Sequence, residues 1–243
     1  MKASSTIATF PIEDKSASPE KSSFPVLTVD IGGSNIKVLA SGQTEPRKRR
    51  SGKKMTPAKM VEIVQELAEG WDYDAISIGY PGLVGNQGPS SEPVNLGPGW
   101  VGFDFSSAFG LPVRIMNDAA MQALGSYEGG RMLFLCLGTG VGSPLITEEV
   151  ILTLELGQLP HKRGETLGEA LGRQGLRRLG KAAWRRAVTS VAPALMKAFL
   201  ADSVVIGGGN AKKPKELPPG VRQGHNLTAF RGGFRMWNIE DVP

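Results

Sequence analysis

Asp30-Ile31-Gly32-Gly33-Ser34-Asn35-Ile36-Lys37 places a carboxylate, two glycines, two small polar side chains and an ammonium within one short segment. A carboxylate, bare backbone amides and a cation at a strand end suit a phosphate chain carrying Mg²⁺. The same grammar returns at Gly138-Thr139-Gly140-Val141-Gly142-Ser143, and glycines cluster again at Gly207-Gly208-Gly209. Either of the first two segments alone also reads as an ordinary hairpin turn. Together, each after an apolar β-rich run, they read as two phosphate loops, because α/β folds bind ligands at the carboxyl ends of strands. None carries the Gly-Lys-Ser/Thr of a P-loop or the dinucleotide fingerprint.

The elements that must position these loops follow from pattern. Apolar, β-rich runs predict strands at 26–30, 36–40, 74–79, 113–116, 132–137 and 203–206, with a hairpin over 144–153. Thr56-Pro57 supplies a cap and first-turn proline for a helix whose Met60, Ile63, Val64 and Leu67 share one face, ending at Gly70. Further helices are expected at 119–127 and from about 166 to 200, the latter broken or kinked at Pro193. The Gly-, Pro- and Asn-rich stretch 85–110, with Trp100, predicts a loop-rich wall. Residues 1–24 are rich in Ser, Pro and charge without apolar periodicity, which predicts a disordered tail. Repeated strand–loop–helix units predict an α/β fold of two lobes related by duplication around a cleft, residues 25–117 and 118–243, the second with a helical insert.

Composition narrows the function classes. No run approaches the ~20 apolar residues of a membrane span, and the N-terminus lacks a secretory-signal profile, so a cytoplasmic protein is expected. One cysteine, Cys136, with His161 and His225 cannot close a structural zinc site, so no zinc is expected. The net charge of +5 is unevenly spread. Arg47, Lys48, Arg49, Arg50, Lys53 and Lys54 fall in one stretch read as a basic loop. Arg177, Arg178, Lys181, Arg185 and Arg186 form a second cluster, and Lys212, Lys213 and Lys215 a third. Such runs are solvated faces or polyanion contacts.

These residues resemble the ROK family of sugar kinases, within the actin–hexokinase superfamily, whose fold is actin-like ATPase/ribonuclease H-like. Asp30 to Lys37 resembles the family's first phosphate loop and Asn117-Asp118 its sugar-binding and catalytic pair. Gly138-Thr-Gly-Val-Gly142 is similar to the second phosphate loop, Glu155-Leu-Gly-Gln158 to the Glu-x-Gly-His sugar motif, and Gly207 to Gly209 to the nucleotide-side loop. The order and spacing match over nearly all of 26–234. The Ile-Lys ending of the first loop and the missing zinc cysteines look most like the polyphosphate glucokinase branch.

The resemblance implies Mg²⁺-dependent phosphoryl transfer from polyphosphate or ATP to the 6-hydroxyl of glucose or a similar hexose. Asp118 would be the general base, a residue that also reads as a helix N-cap. Asn95, Asn117, Glu155 and Gln158 would bind the sugar, with Asn95 and Trp100 in the family's sugar-lining loop. Asp30 would hold Mg²⁺. Gly32, Gly33, Ser34, Lys37, Gly138, Thr139, Gly140, Gly207, Gly208 and Gly209 would hold the phosphate donor. Gln158 departs from the family's His, which puts sugar choice in question; the zinc-site His and cysteines are absent together. A sugar-responsive regulator or degenerate binding protein is the alternative, although the stretch before Pro25 is too short for a DNA-binding domain. No membrane or nucleic-acid partner is expected, and base rates favour a homodimer.

Overall fold

The computed structural model describes residues 24–148, 150–211, 216–225 and 227–237. The expected tail (apart from Phe24), Glu149, Lys212, Lys213 and Lys215 lie outside the described residues.

The chain opens with the antiparallel meander β1 (Val26–Ile31), β2 (Asn35–Ala40) and β3 (Arg47–Arg50), followed by α1 (Pro57–Leu67) and β4 (Ala75–Tyr80). A small hairpin, β5 (Val84–Gly85) and β6 (Gly88–Pro89), precedes α2 (Phe105–Phe109), β7 (Val113–Asn117) and α3 (Asp118–Ser126). A second meander comprises β8 (Met132–Leu137), β9 (Val141–Ile146) and β10 (Ile151–Leu154), and leads through two 3-10 turns into α4 (Leu167–Leu171) and α5 (Arg173–Ala198). The strands β11 (Ser203–Gly207) and β12 (Val221–Gln223) and the helix α6 (Thr228–Arg235) are the last elements among the described residues.

Two compact units result. One holds the described chain up to Gly125 and again from Leu227; the other runs continuously from Ser126 through β12. The helix α3 thus stays with the first sheet, although the expected lobe boundary at 117/118 falls just before it. Each unit contains a five-stranded sheet, ordered β3-β2-β1-β4-β7 and β10-β9-β8-β11-β12. In both, three strands pair antiparallel and two add in parallel. The shared topology is the duplication the sequence suggested.

In the first sheet β1 and β4 are buried at every position, as befits central strands covered on both faces. Leu27, Val29 and Ile31 pack with Ile76, Ile78 and Tyr80 and the α1 residues Met60 and Val64 on one side. Thr56 caps α1, its side chain accepting from the Lys59 amide. The opposite side is covered by α6, whose Phe230 and Phe234 pack on Val26, Leu39 and Ala75. That helix approaches so closely that a Cβ on Gly232 would stand 1.8 Å from the Met121 carbonyl oxygen of α3, and one on Gly233 2.3 Å from Thr28. Ser77 donates to the Gly233 carbonyl at 2.6 Å, and Trp237 donates to Ser77 at 2.9 Å.

The stretch expected as a basic loop is instead the edge strand β3, in register with β2 from Asn35↔Arg50 to Val38↔Arg47. In the second unit α5 buries Trp184, Val188 and Ala192 in that unit's core. Its one non-helical residue is Gly180 (φ 72°, ψ 164°), and Pro193 sits within continuous helix. The break expected at Pro193 therefore falls at Gly180, whose left-handed φ ends one helical run and starts another. Among the described residues, no helix is long and apolar enough to cross a membrane.

Candidate active site

The first unit brings together Asp30, Asn117 and Asp118 at the carboxyl ends of β1 and β7. Asp30 lies in register with Gly79 of β4. A Cβ on Gly79 would lie 3.6 Å from the Asp118 Cα and 2.3 Å from Met121 Cε. The bare position at Gly79 thus lets the first turn of α3 settle on the sheet beside Asp30. Asn117 fixes that turn: its Oδ1 accepts from the amides of Ala119 (3.0 Å) and Ala120 (3.1 Å), and its Nδ2 donates to the Gly82 carbonyl (3.0 Å). Asn117 is therefore the capping residue, the role the sequence offered to Asp118. Asp118 also accepts from the Ala119 amide at 2.8 Å. Burial pushes the half-buried Asp118 carboxyl up to about 7, and the negative charge of Asp30 adds to the shift. A carboxyl group so poised suits proton transfer near neutral pH.

Asp30 is buried, and Lys37 donates to its Oδ2 at 2.9 Å as its cross-strand neighbour. The loop beyond it closes as a hairpin, because the Gly32 amide donates to the Asn35 carbonyl at 2.9 Å. The Gly33 and Ser34 amides have no acceptor among the described residues, so these two, and not Gly32, are left for an anion. Ser51 braces the loop, its hydroxyl donating to the Gly32 carbonyl (2.5 Å) and its amide to the Ser34 carbonyl (3.1 Å). Gly33 is small for a packing reason: a Cβ there would sit 3.0 Å from the Asn95 Cβ. This contact brings the exposed Asn95 to the loop. Trp100 is fully buried, makes tilted ring contacts with Tyr80 and Phe105, and donates to the Gly97 carbonyl, so it belongs to the core.

The second unit assembles the other predicted residues. Gly138 and Gly140 close a turn through the Gly138 amide and the Gly140 carbonyl (3.1 Å), and a Cβ on either would meet nothing within 4 Å. No atom among the described residues requires their smallness, which leaves bare backbone for a ligand's close approach. Thr139 is exposed at the tip. Gly207 and Gly208 differ. A Cβ on Gly207 would fall 2.1 Å from the Phe134 ring, and Gly208 is left-handed (φ 81°) against Leu137. Both are explained by packing, and only Gly209 opens to space. Asn210 links this loop to the previous one, its amide donating to Leu137 and its side chain to Gly138.

Glu155 and Gln158 are exposed on the segment after β10. Ser143, buried in β9, holds that segment by donating to the Leu154 carbonyl (2.7 Å) and accepting from the Leu156 amide (2.9 Å). The β8–β9 ladder is interrupted at Ser143 and Pro144, while Pro144 keeps its place opposite Thr153 of β10. Ser51, Ser143 and Gly172 were not singled out by sequence reasoning as supporting residues. A Cβ on Gly172 would lie 2.5 Å from the Thr139 carbonyl oxygen, and the Arg173 amide donates to Gly138. Their signal was present as small or polar residues flanking each motif.

The sequence profile of the ROK family matches residues 26–161, which is more than half of the chain. The chain belongs to the ROK family. A bifunctional NanE/NanK enzyme of Brucella melitensis biotype 1 is 30% identical over 149 residues, 55% of this chain and 28% of that enzyme. The chain therefore spans little more than a quarter of the length of the curated relatives it matches. Among solved structures, the inorganic polyphosphate/ATP-glucomannokinase of Arthrobacter sp. strain KM is 20% identical with a TM-score of 0.74, over 90% of this chain and 100% of that one. The ROK family glucokinase of Streptomyces griseus, in complex with glucose and AMPPNP, is 15% identical with a TM-score of 0.62, over 87% and 98%. These likenesses show that this ROK protein has the actin-like ATPase fold.

Mg²⁺ is the ion such a fold implies. Among the described residues no three His, Cys, Asp or Glu side chains gather as a metal cluster. The two neighbouring carboxylates, Asp30 and Asp118, nevertheless fit Mg²⁺, which takes one or two carboxylates and completes its shell with water and substrate phosphates.

Proposed function

We propose that this ROK protein is a sugar kinase that moves a phosphoryl group from polyphosphate or ATP to the 6-hydroxyl of glucose or a similar hexose. The observation that carries the reading is the pairing of Asp118 with Asp30 beside a glycine loop with two uncommitted amides. In this reading Asp118 accepts the proton of the attacking hydroxyl, and Asn117 sets its angle by capping α3. Glu155 accepts from two sugar hydroxyls, and Asn95 and Gln158 contribute further polar contacts. In the first unit the Gly33 and Ser34 amides, and in the second Thr139 and the bare backbone of Gly138 and Gly140, are each suited to hold phosphate oxygens. Lys37 holds the Asp30 carboxylate in place through its 2.9 Å bond to Oδ2. Bound Mg²⁺, held by Asp30, would offset charge on the transferring group.

Steady-state assays with glucose, mannose and a 2-acetamido hexose, each with ATP and with polyphosphate, test the reading. Saturable formation of a sugar phosphate is expected with at least one pair. Absence of turnover with every pair would remove the kinase assignment in favour of a sugar-binding protein.

A further inference from the structure

The four basic residues of β3 divide into two pairs with different fates. Arg47 and Arg49 project to the α1 side and are committed there. Arg47 stacks 4.0 Å from the Trp71 ring centroid and donates to the Leu67 and Glu69 carbonyls, capping the end of α1. Arg49 pairs with Glu66. Lys48 and Arg50 project to the other face, are exposed, and have no acidic partner among the described residues.

The sheet register gives these two residues an address. Residues directly opposite in a ladder share a face. Lys48 is opposite Lys37, and Lys37 is opposite Asp30. Arg50 is opposite Asn35, whose carbonyl closes the glycine loop at Gly32. Two parallel rows therefore run across the strands from the open edge of the sheet. One ends at Asp30, the other at the amides of Gly33 and Ser34. Strands lie about 4.8 Å apart, so each row extends roughly 10 Å beyond β1. Ser51, the residue after Arg50, is bonded to the loop itself, which makes the edge and the loop one continuous surface.

We infer that Lys48 and Arg50, with Lys37, form a cationic track that carries the distal part of a linear inorganic polyphosphate across the sheet from its edge to the glycine loop. This inference rests on the kinase reading for the meaning of the loop, and it makes chain length a property of donor choice. The three phosphates of a nucleotide are too few to occupy both the loop and the edge, whereas a long linear polyphosphate places phosphates at both. Charged edge strands also deter pairing between sheets, but that role needs charge alone and no alignment with Asp30.

The test is direct binding of long-chain polyphosphate and of tripolyphosphate to the purified protein, over a range of salt, for wild type and Lys48→Gln/Arg50→Gln. The control is Lys181→Gln/Lys197→Gln, which removes the same charge from exposed sites on α5 of the second unit. The wild type should favour the long chain. The edge variant should lose about tenfold in long-chain affinity and about one unit of log–log salt slope per cation removed, with tripolyphosphate affinity much less affected. Equal losses in the control, or none in the edge variant, would overturn the track, as would tighter binding of a single-stranded oligonucleotide of matched charge. Sugar phosphorylation from ATP reports on the kinase reading separately. Turnover without a track effect leaves that reading intact, and a track effect without turnover leaves only the polyanion surface.

Discussion

Ser143 brackets Glu155: one buried hydroxyl donates to the carbonyl of Leu154 and accepts from the amide of Leu156, the residues on either side of it. An exposed carboxylate is thereby carried on backbone that cannot swing. Ser143→Ala should raise the sugar KM roughly tenfold while leaving kcat within a few-fold, because the base on α3 is untouched. It should also cost about 1–3 kcal/mol of stability, since a buried amide and carbonyl lose their partner. Steady-state kinetics and thermal unfolding check the two parts, and an unchanged sugar KM would dissociate Ser143 from the sugar site.

Asp118→Asn should lower kcat by roughly 10²–10⁴-fold, the usual contribution of a general base, with sugar binding retained by calorimetry. Near-normal turnover would take Asp118 out of that role.

The raised carboxyl group of Asp118 also predicts pH dependence. Its folded value of about 7 lies above the ordinary 3.8, so the folded protein holds this proton more tightly than the unfolded chain. Its contribution to stability is therefore greatest at low pH and is lost as pH rises from about 4 to 7. Ionised Asp118 destabilises the fold at pH 8. Asp118→Asn should then melt higher than wild type at pH 8 and close to it at pH 4. For activity the sign is opposite, and kcat/KM should fall below an apparent value near 7, because only the ionised form accepts a proton. An acid limb near 4 would contradict the proposed environment.

The glycines of the two loops in the second unit should separate in mutagenesis. Gly207→Ala drives a methyl into the Phe134 ring and should lower stability by about 1–3 kcal/mol. Gly140→Ala meets no atom of the described residues within 4 Å, so it should leave the melting temperature nearly unchanged while raising the donor KM. Equal stability losses in both would assign both loops to packing.

Much of this architecture was legible in residue order. The apolar run before Asp30, the Thr56-Pro57 start and the Asn117-Asp118 junction declare themselves through local chemistry, which the fold keeps. What escaped was decided by neighbours. Arg47 to Arg50 has little β propensity, and an edge strand forms there because β2 supplies the ladder and α1 supplies Trp71 and Glu66 as partners. Gly207 looks the same as Gly140 in a sequence, and only the Phe134 ring distinguishes them. The helix α6 gave no signal because its glycine pair, needed for contact with Met121 and Thr28, reads locally as a helix breaker. Gly180 and Pro193 reversed roles for a related reason: a left-handed φ is set by the path of the chain, and a helix that tolerates proline needs only one lost bond accommodated.

The last of these helices has a consequence for how the molecule comes into being. The sheet that carries Asp30 is synthesised well before α6, yet the partners of Thr28, Ser77 and Arg114 are Phe230, Gly233 and Met236. The second unit lies between them in the chain and is continuous over its described residues, whereas the first is assembled from two separated stretches. The helix that begins with Asp118 acquires its backing only when Gly232 has been synthesised, so a chain interrupted before α6 carries its base in place by sequence and unsupported in space.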